Sequence, residues 1–170
     1  MKEQSVGQLF LATCCRKLDD WFERISHCVN QLEDTQIWFR PHESMNSIAN
    51  ILLHLCGNLT QWILTGIPAL EDNRNRPQEF AARDTTPGTE LLSQLRIVIE
   101  NVKTLLLDLS DEQLTESRRI QGFEETVLSA IFDSLSHLNG HTQEIVYITR
   151  LQLGDKYKFA WVPQSKEQGG

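Results

Sequence analysis

The chain has 170 residues, of which 23% are charged and 40% hydrophobic, and its formal net charge at pH 7 is -7. This length suits one domain with its own core, and the acidic balance repels phosphate backbones, so we expect no nucleic-acid partner. The apolar runs fall far short of the roughly 20 residues that cross a bilayer, so we expect no membrane partner.

Apolar residues recur every three or four positions in four long segments, which is the pattern of amphipathic helices. The first predicted helix covers 6–32. The second covers 47–65; Asn46 or Ser47 can cap its start, and Gly66 followed by Pro68 ends it. The segments between successive predicted helices are richer in polar residues, as is typical of connections.

The third and fourth predicted helices cover 87–109 and 125–153. Thr86 and Pro87 supply a cap and a first-turn proline to the third, and Gly154 ends the fourth. We predict a single domain, 1–170, of all-α class that forms a four-helix bundle, because no segment alternates over strand length. Periodicity alone does not fix the order of the helices.

The segment 154–170 is predicted to form an extended C-terminal tail. Tyr157, Phe159 and Trp161 alternate with other residues, which suits a strip laid over the bundle as core cover or as a pocket wall. The spacing of the four cysteines matches neither a metal site nor a small disulfide framework: they are Cys14, Cys15, Cys28 and Cys56. We therefore expect reduced thiols in a cytoplasmic protein.

Three histidines carry the functional hypothesis. His137 and His141 are four residues apart, so a helix turns both imidazoles to one face. His54 borders the apolar stripe of another helix and would complete a set of three nitrogen ligands with open positions, as catalytic metal sites have. The competing interpretation, that hydrogen bonds satisfy three histidines in the core, stays open at this point.

Three other polar residues lie within reach of these imidazoles. Asp133 is four residues before His137, Glu144 is three after His141, and Asn58 is one helical turn beyond His54. A carboxylate there could accept the second ring N–H and fix the tautomer, or could itself bind metal. A solvated carboxylate on the helix surface is the commoner situation.

Arg74 and Arg76 stand in the connection after the second helix. Arginine forks suit the carboxylate or phosphate of a small anionic substrate. Such residues more often brace a long connection through ion pairs, here with Glu79 or Asp72, and we favour this bracing role while keeping both arginines as substrate-binding candidates.

The chain resembles the DinB/YfiT-like superfamily of bacterial metal-binding helical bundles. The resemblance is carried by the segments 46–59, 74–80 and 137–145 and extends over nearly the whole chain. It implies an up-down-down-up bundle with a long connection between the second and third helices, commonly a homodimer. It also implies that His54, His137 and His141 hold a divalent metal such as zinc, nickel, iron or manganese.

The resemblance further implies chemistry on a small-molecule substrate, because characterised members include transferases and isomerases that use low-molecular-weight thiols. Relatives often carry glutamine three residues after the last histidine, where this chain has Glu144, with Gln143 one position earlier. We predict a metal-dependent thiol transferase. A metal-dependent hydrolase, or a bundle that binds metal or a small molecule without catalysis, are the alternatives.

Overall fold

The computed structural model describes residues 4–83 and 85–160, and helices make up most of them. In chain order the elements are α1 (Val6–Val29), α2 (Asp34–Ile37), α3 (Ile48–Leu59), a π-helix (Thr60–Thr65), α4 (Arg76–Ala81), α5 (Gly88–Asp108), α6 (Asp111–Leu114), β1 (Ser117–Ile120), β2 (Phe123–Thr126), α7 (Val127–Leu153) and a 3-10 turn (Gly154–Lys156). None of these helices combines the length and apolarity that a membrane span requires.

The four long helices pack around one core. α1 contacts α5 and α7, and α3 contacts the same two helices. Each helix turns its apolar stripe inward, and residues such as Leu18, Leu52, Leu95 and Leu138 are fully buried. Burial of about 1.5 to 3 kcal/mol per large aliphatic side chain is what holds this arrangement together.

Local sequence sets the helix ends close to the predicted positions. Ser47 caps α3 in a reciprocal box with Asn50, and Thr126 caps α7 by accepting from the backbone N–H of Ser129. α1 ends at Val29, three residues before the predicted end. Leu32 still packs against the core from the following turn, which is why its apolar periodicity continues beyond the helix.

The expectation that the chain has no strand is wrong for 117–126. β1 and β2 pair antiparallel, and Ser117 lies opposite Thr126. The joining residues Gln121 and Gly122 both have positive φ, of 52° and 87°, as a tight hairpin turn requires. The alternation escaped detection because the strands are four residues long and Ile120 is the single buried residue in β1.

The beginning of the tail lies along α1. The backbone carbonyl of Lys158 accepts hydrogen bonds from His27 Nε2 and Gln31 Nε2 at 2.6 and 3.3 Å. The ring of Tyr157 stands edge-on to that of Phe159, with the centroids 5.2 Å apart. Trp161 and the rest of the predicted tail lie outside the described residues.

Candidate metal centre

His54 lies in the buried middle of α3. Because Ile51, three residues earlier, and Leu55 are fully buried, the side of α3 that carries His54 turns toward the core, and His54 is 4% exposed. His137 and His141 stand one turn apart on α7, where the buried Leu138 and Ile145 fix which face turns inward. α3 and α7 are in contact, so the two helices bring all three histidines together.

The three imidazoles form a compact cluster. One ring nitrogen from each histidine lies within 4.8 Å of the corresponding nitrogen of the other two. His54 Nε2 and His137 Nε2 are 3.1 Å apart. The ring centroids of His137 and His141 are separated by 4.5 Å, and those of His54 and His141 by 5.3 Å.

Carboxylates contact the outer nitrogens of two of the rings. His54 Nδ1 is 3.0 Å from Glu79 Oε2, and His141 Nδ1 is 2.7 Å from Glu144 Oε2. A carboxylate accepts hydrogen bonds, so it favours the proton on Nδ1 and leaves the Nε2 lone pair facing the cluster. His137 Nδ1 is buried and has no hydrogen-bond partner among the described residues.

Burial favours the neutral form of the His54 and His137 rings. The pKa of His137 is lowered to about 4, first by burial and then by the neighbouring rings of His141 and His54. Burial also lowers the pKa of His54, although its hydrogen bond with Glu79 acts in the opposite direction. Neutral imidazoles with converging lone pairs are the form that binds a divalent cation, so this donor set fits such a metal.

A buried ion pair between Arg74 and Glu79 lies next to the outer nitrogen of His54. Arg74 contacts Glu79 through two parallel hydrogen bonds, Nε to Oε1 at 2.6 Å and Nη2 to Oε2 at 2.8 Å. Its Nη1 donates to Gln61 Oε1 at 2.8 Å. The side chains of Arg74 and Glu79 are 5% and 11% exposed. Glu79 is therefore one of the two partners that the sequence suggested for Arg74.

Gly57 gives the ion pair its space. A Cβ atom at Gly57 would overlap the carboxylate of Glu79 and lie 2.8 Å from Arg74 Nε. Sequence reasoning missed the contacts of Glu79 with His54 and of Gln61 with Arg74, because both depend on how the connection folds back onto α3 and the π-helix. A glycine inside an otherwise apolar helix was the available signal of close packing.

A cleft of about 490 Å³ opens beside His54 and His137. Besides these histidines and Arg74, its lining residues are Asn58, Trp62, Arg76, Gln121, Asp133 and Ser134. Asn58 Oδ1 and Ser134 Oγ are buried there without a hydrogen-bond partner among the described residues. Buried polar atoms normally have partners, so these two oxygens are unsatisfied polar groups in the wall of the cleft.

The remaining predicted site residues occupy distinct places. Glu144 reaches His141, whereas Asp133 and Asn58 line the cleft. Arg76 also lines the cleft, and its guanidinium carbon lies 5.0 Å from the ring centroid of Phe80. The two arginines therefore differ in their contacts: the guanidinium group of Arg74 is engaged in the buried ion pair with Glu79.

One comparison with known proteins shows the family, and another shows the fold. The family model described as "Protein of unknown function (DUF1572)" matches residues 5–166. A crystal structure of a conserved protein from Enterococcus faecalis superposes with a TM-score of 0.73 at 18% identity, covering 89% of this chain and 99% of the other. A DinB-like protein from Bacillus cereus ATCC 10987 gives 0.63 at 15% identity, covering 78% and 85%. No curated protein sequence matches the chain significantly.

Proposed function

Because the chain belongs to the DUF1572 family, within the DinB/YfiT-like superfamily, we propose that it is a divalent-metal-dependent enzyme. His54, His137 and His141 would hold a zinc, nickel, iron or manganese ion. The observation that carries this proposal is the convergence of three ring nitrogens within 4.8 Å of one another. Two of the rings also contact a carboxylate on the outside, which is the usual environment of metal-binding histidines.

The reaction we propose is transfer of a low-molecular-weight thiol to a small electrophile. Three protein ligands leave coordination positions open, as in catalytic sites. A bound divalent cation would act as a Lewis acid and lower the pKa of a thiol that binds to it. The thiolate form of the thiol is the nucleophile. The family resemblance supports this choice of reaction.

The thiol would come from the substrate. Cys56 follows His54 by two residues, but burial raises the pKa of its thiol to about 12. Burial likewise raises the pKa of Cys14 to about 11, with Cys15 as a secondary cause. Thiols with such pKa values are almost entirely protonated at neutral pH and react slowly, so these side chains are unsuited to act as the nucleophile.

The cleft beside the histidines would bind the rest of the substrate. Arg76 presents a guanidinium group that suits a carboxylate, and the side chains of Asn58 and Gln121 add polar groups to the same lining. Arg74 is less suited to bind substrate because Glu79 already occupies its fork. Residues from α3, α4 and α7 would together exclude water from the reacting atoms.

We expect protein purified without a histidine tag to contain about one divalent metal ion per chain, because three converging imidazole nitrogens suffice to hold it. Elemental analysis of the His54→Ala, His137→Ala double variant should show almost no metal. The matched control is His42→Ala, which removes an exposed histidine that contacts Ser44 outside the cluster. Full metal content in the double variant would contradict the assignment.

The catalytic part is tested with cobalt-substituted protein and two thiols, L-cysteine and 2-mercaptoethanol. Entry of sulfur into the coordination sphere should change the cobalt absorption with both. Arg76→Met should weaken binding of cysteine about tenfold or more, as expected for a lost charged hydrogen bond, and leave 2-mercaptoethanol unaffected. No absorption change with either thiol, together with no thiol transfer, would contradict the transferase proposal.

We propose four further properties that follow from the resemblance or the composition. The chain forms one domain, 1–170, and its long helices run up-down-down-up. It acts as a homodimer. It works in the cytoplasm, which agrees with four cysteines that are all free in the described residues.

A further inference from the structure

Glu79 lies in α4 and contacts the outer nitrogen of His54, Nδ1. Its Oε2 lies 3.0 Å from Nδ1, and both side chains are almost inaccessible, at 11% and 6% exposed. Water therefore has little access to replace this contact. A carboxylate buried to this degree needs compensating partners, since an isolated charge in the interior is costly.

The carboxylate has those partners on several sides. Arg74 holds both of its oxygens, and Gln61 in turn holds Arg74. Gln61 belongs to the π-helix that follows α3, whose wider turn carries this residue to a buried position. On the remaining side the absence of a side chain at Gly57 allows the carboxylate to approach α3. Its position is thus determined by packing and hydrogen bonds together.

Two groups of opposite character reach His54 Nδ1. Glu79 Oε2 and Arg74 Nη2 are both 3.0 Å away. The carboxylate can only accept and the guanidinium can only donate. A proton on Nδ1 satisfies Glu79 and leaves the Nε2 lone pair facing His137. A proton on Nε2 lets Arg74 donate to Nδ1 instead and closes Nε2 to a metal.

We propose that Glu79 is the positioning residue of His54: it holds the ring as the Nδ1–H tautomer, and Arg74 and Gly57 hold Glu79 in place. This inference rests on the proposed metal site and goes beyond it, because it gives Arg74 a supporting role in metal binding. The negative charge of Glu79 is what favours the proton on Nδ1, since Arg74 alone would favour the other tautomer.

The direct test needs no substitution. Zinc-loaded, ¹⁵N-labelled wild-type protein is studied by two-bond nitrogen–hydrogen correlation spectra of the histidine rings, because zinc is diamagnetic. We expect His54 to carry its proton on Nδ1 and to bind zinc through Nε2. Zinc on Nδ1, or a proton on Nε2 in the zinc-loaded state, would overturn the inference. This measurement tests the tautomer and the ligating nitrogen even if substitutions at Glu79 prevent folding.

The second test measures zinc affinity by chelator competition in Glu79→Gln, with Glu71→Gln as the matched control. The glutamine keeps the size of the side chain and loses its charge, so we expect affinity to fall about 10- to 100-fold. The control removes an exposed glutamate of the same connection and should stay within about threefold of wild type. Unchanged affinity in a folded Glu79→Gln protein would overturn the inference alone, whereas wild-type protein without zinc affinity would overturn the metal site itself.

Discussion

His54 and His141 each direct Nδ1 toward a glutamate, but the two pairs sit in different environments. The contact of His141 with Glu144 is the shorter, at 2.7 Å, and its side chains are 22% and 43% exposed. The contact of His54 with Glu79 measures 3.0 Å and is almost completely buried. Water and salt screen the first pair and not the second, so we expect the longer contact to matter more. Distance alone is therefore a poor guide to the importance of a polar contact.

The two pairs also differ in how the chain builds them. His141 and Glu144 are three residues apart on one helix, so the pairing needs nothing beyond α7 itself. His54 and Glu79 are 25 residues apart, and α4 must fold back onto α3 to bring them together. The buried pair is thus a tertiary contact that orders a connection, and the exposed pair is a local one.

The largest difference should appear when each carboxylate is removed. Glu79→Ala leaves the guanidinium of Arg74 buried without its charge partner, so we expect the free energy of unfolding to fall by about 3 to 5 kcal/mol. Glu144→Ala removes an exposed partner, so the loss should stay within about 1 kcal/mol. Urea denaturation of both metal-free variants measures the two values.

The double variant Arg74→Met, Glu79→Leu is the control for this comparison, because it removes both charges and keeps apolar volume in their place. We expect it to recover much of the stability lost in Glu79→Ala. Equal losses for Glu79→Ala and Glu144→Ala would mean that burial does not distinguish the two pairs.

Two glycines sharpen the same contrast, since Gly57 is near His54 on α3 and Gly140 precedes His141 on α7. Alanine at Gly57 would overlap Glu79, whereas nothing lies within 4 Å of a Cβ atom at Gly140. We expect Gly57→Ala to lower the free energy of unfolding by about 1 to 3 kcal/mol. Gly140→Ala should raise it by about 0.5 to 1 kcal/mol through its better helix propensity. Thermal or urea unfolding measures both values. A higher free energy of unfolding in both variants than in wild type would contradict the close packing at Gly57.

The last effect is negligible at neutral pH and appears only in acid. The pKa of His137 is lowered to about 4 in the folded protein and that of His54 is lowered as well, so the unfolded chain binds more protons below the ordinary histidine pKa of 6.5. Neutral His54 and His137 therefore make their full contribution to the free energy of unfolding above about pH 6.5, and this contribution declines as pH falls toward 4. In metal-free protein, His137→Asn should flatten this decline relative to wild type. An equally steep decline in the variant would assign the acid sensitivity to carboxylates instead.

The sequence was sufficient for what depends on local periodicity. The spacing of His137 and His141 predicted their common face, and the stripe beside His54 predicted that it points inward. The hairpin was missed because its strands are short and mostly exposed. The contact of Glu79 with His54 could not be derived, because no periodicity specifies how a connection of irregular backbone returns to a helix. Whether the three histidines bind a metal stays a prediction.

The distance along the sequence between the histidines has a consequence for biosynthesis. His54 and Glu79 belong to one contiguous stretch, whereas His137 lies 83 positions after His54. A chain emerging from the ribosome can therefore complete the His54 half of the cluster well before α7 has been synthesised. The full donor set arises only when α7 packs against α3, so the metal binding proposed above would require the packed helices and would be absent from a nascent chain that lacks α7.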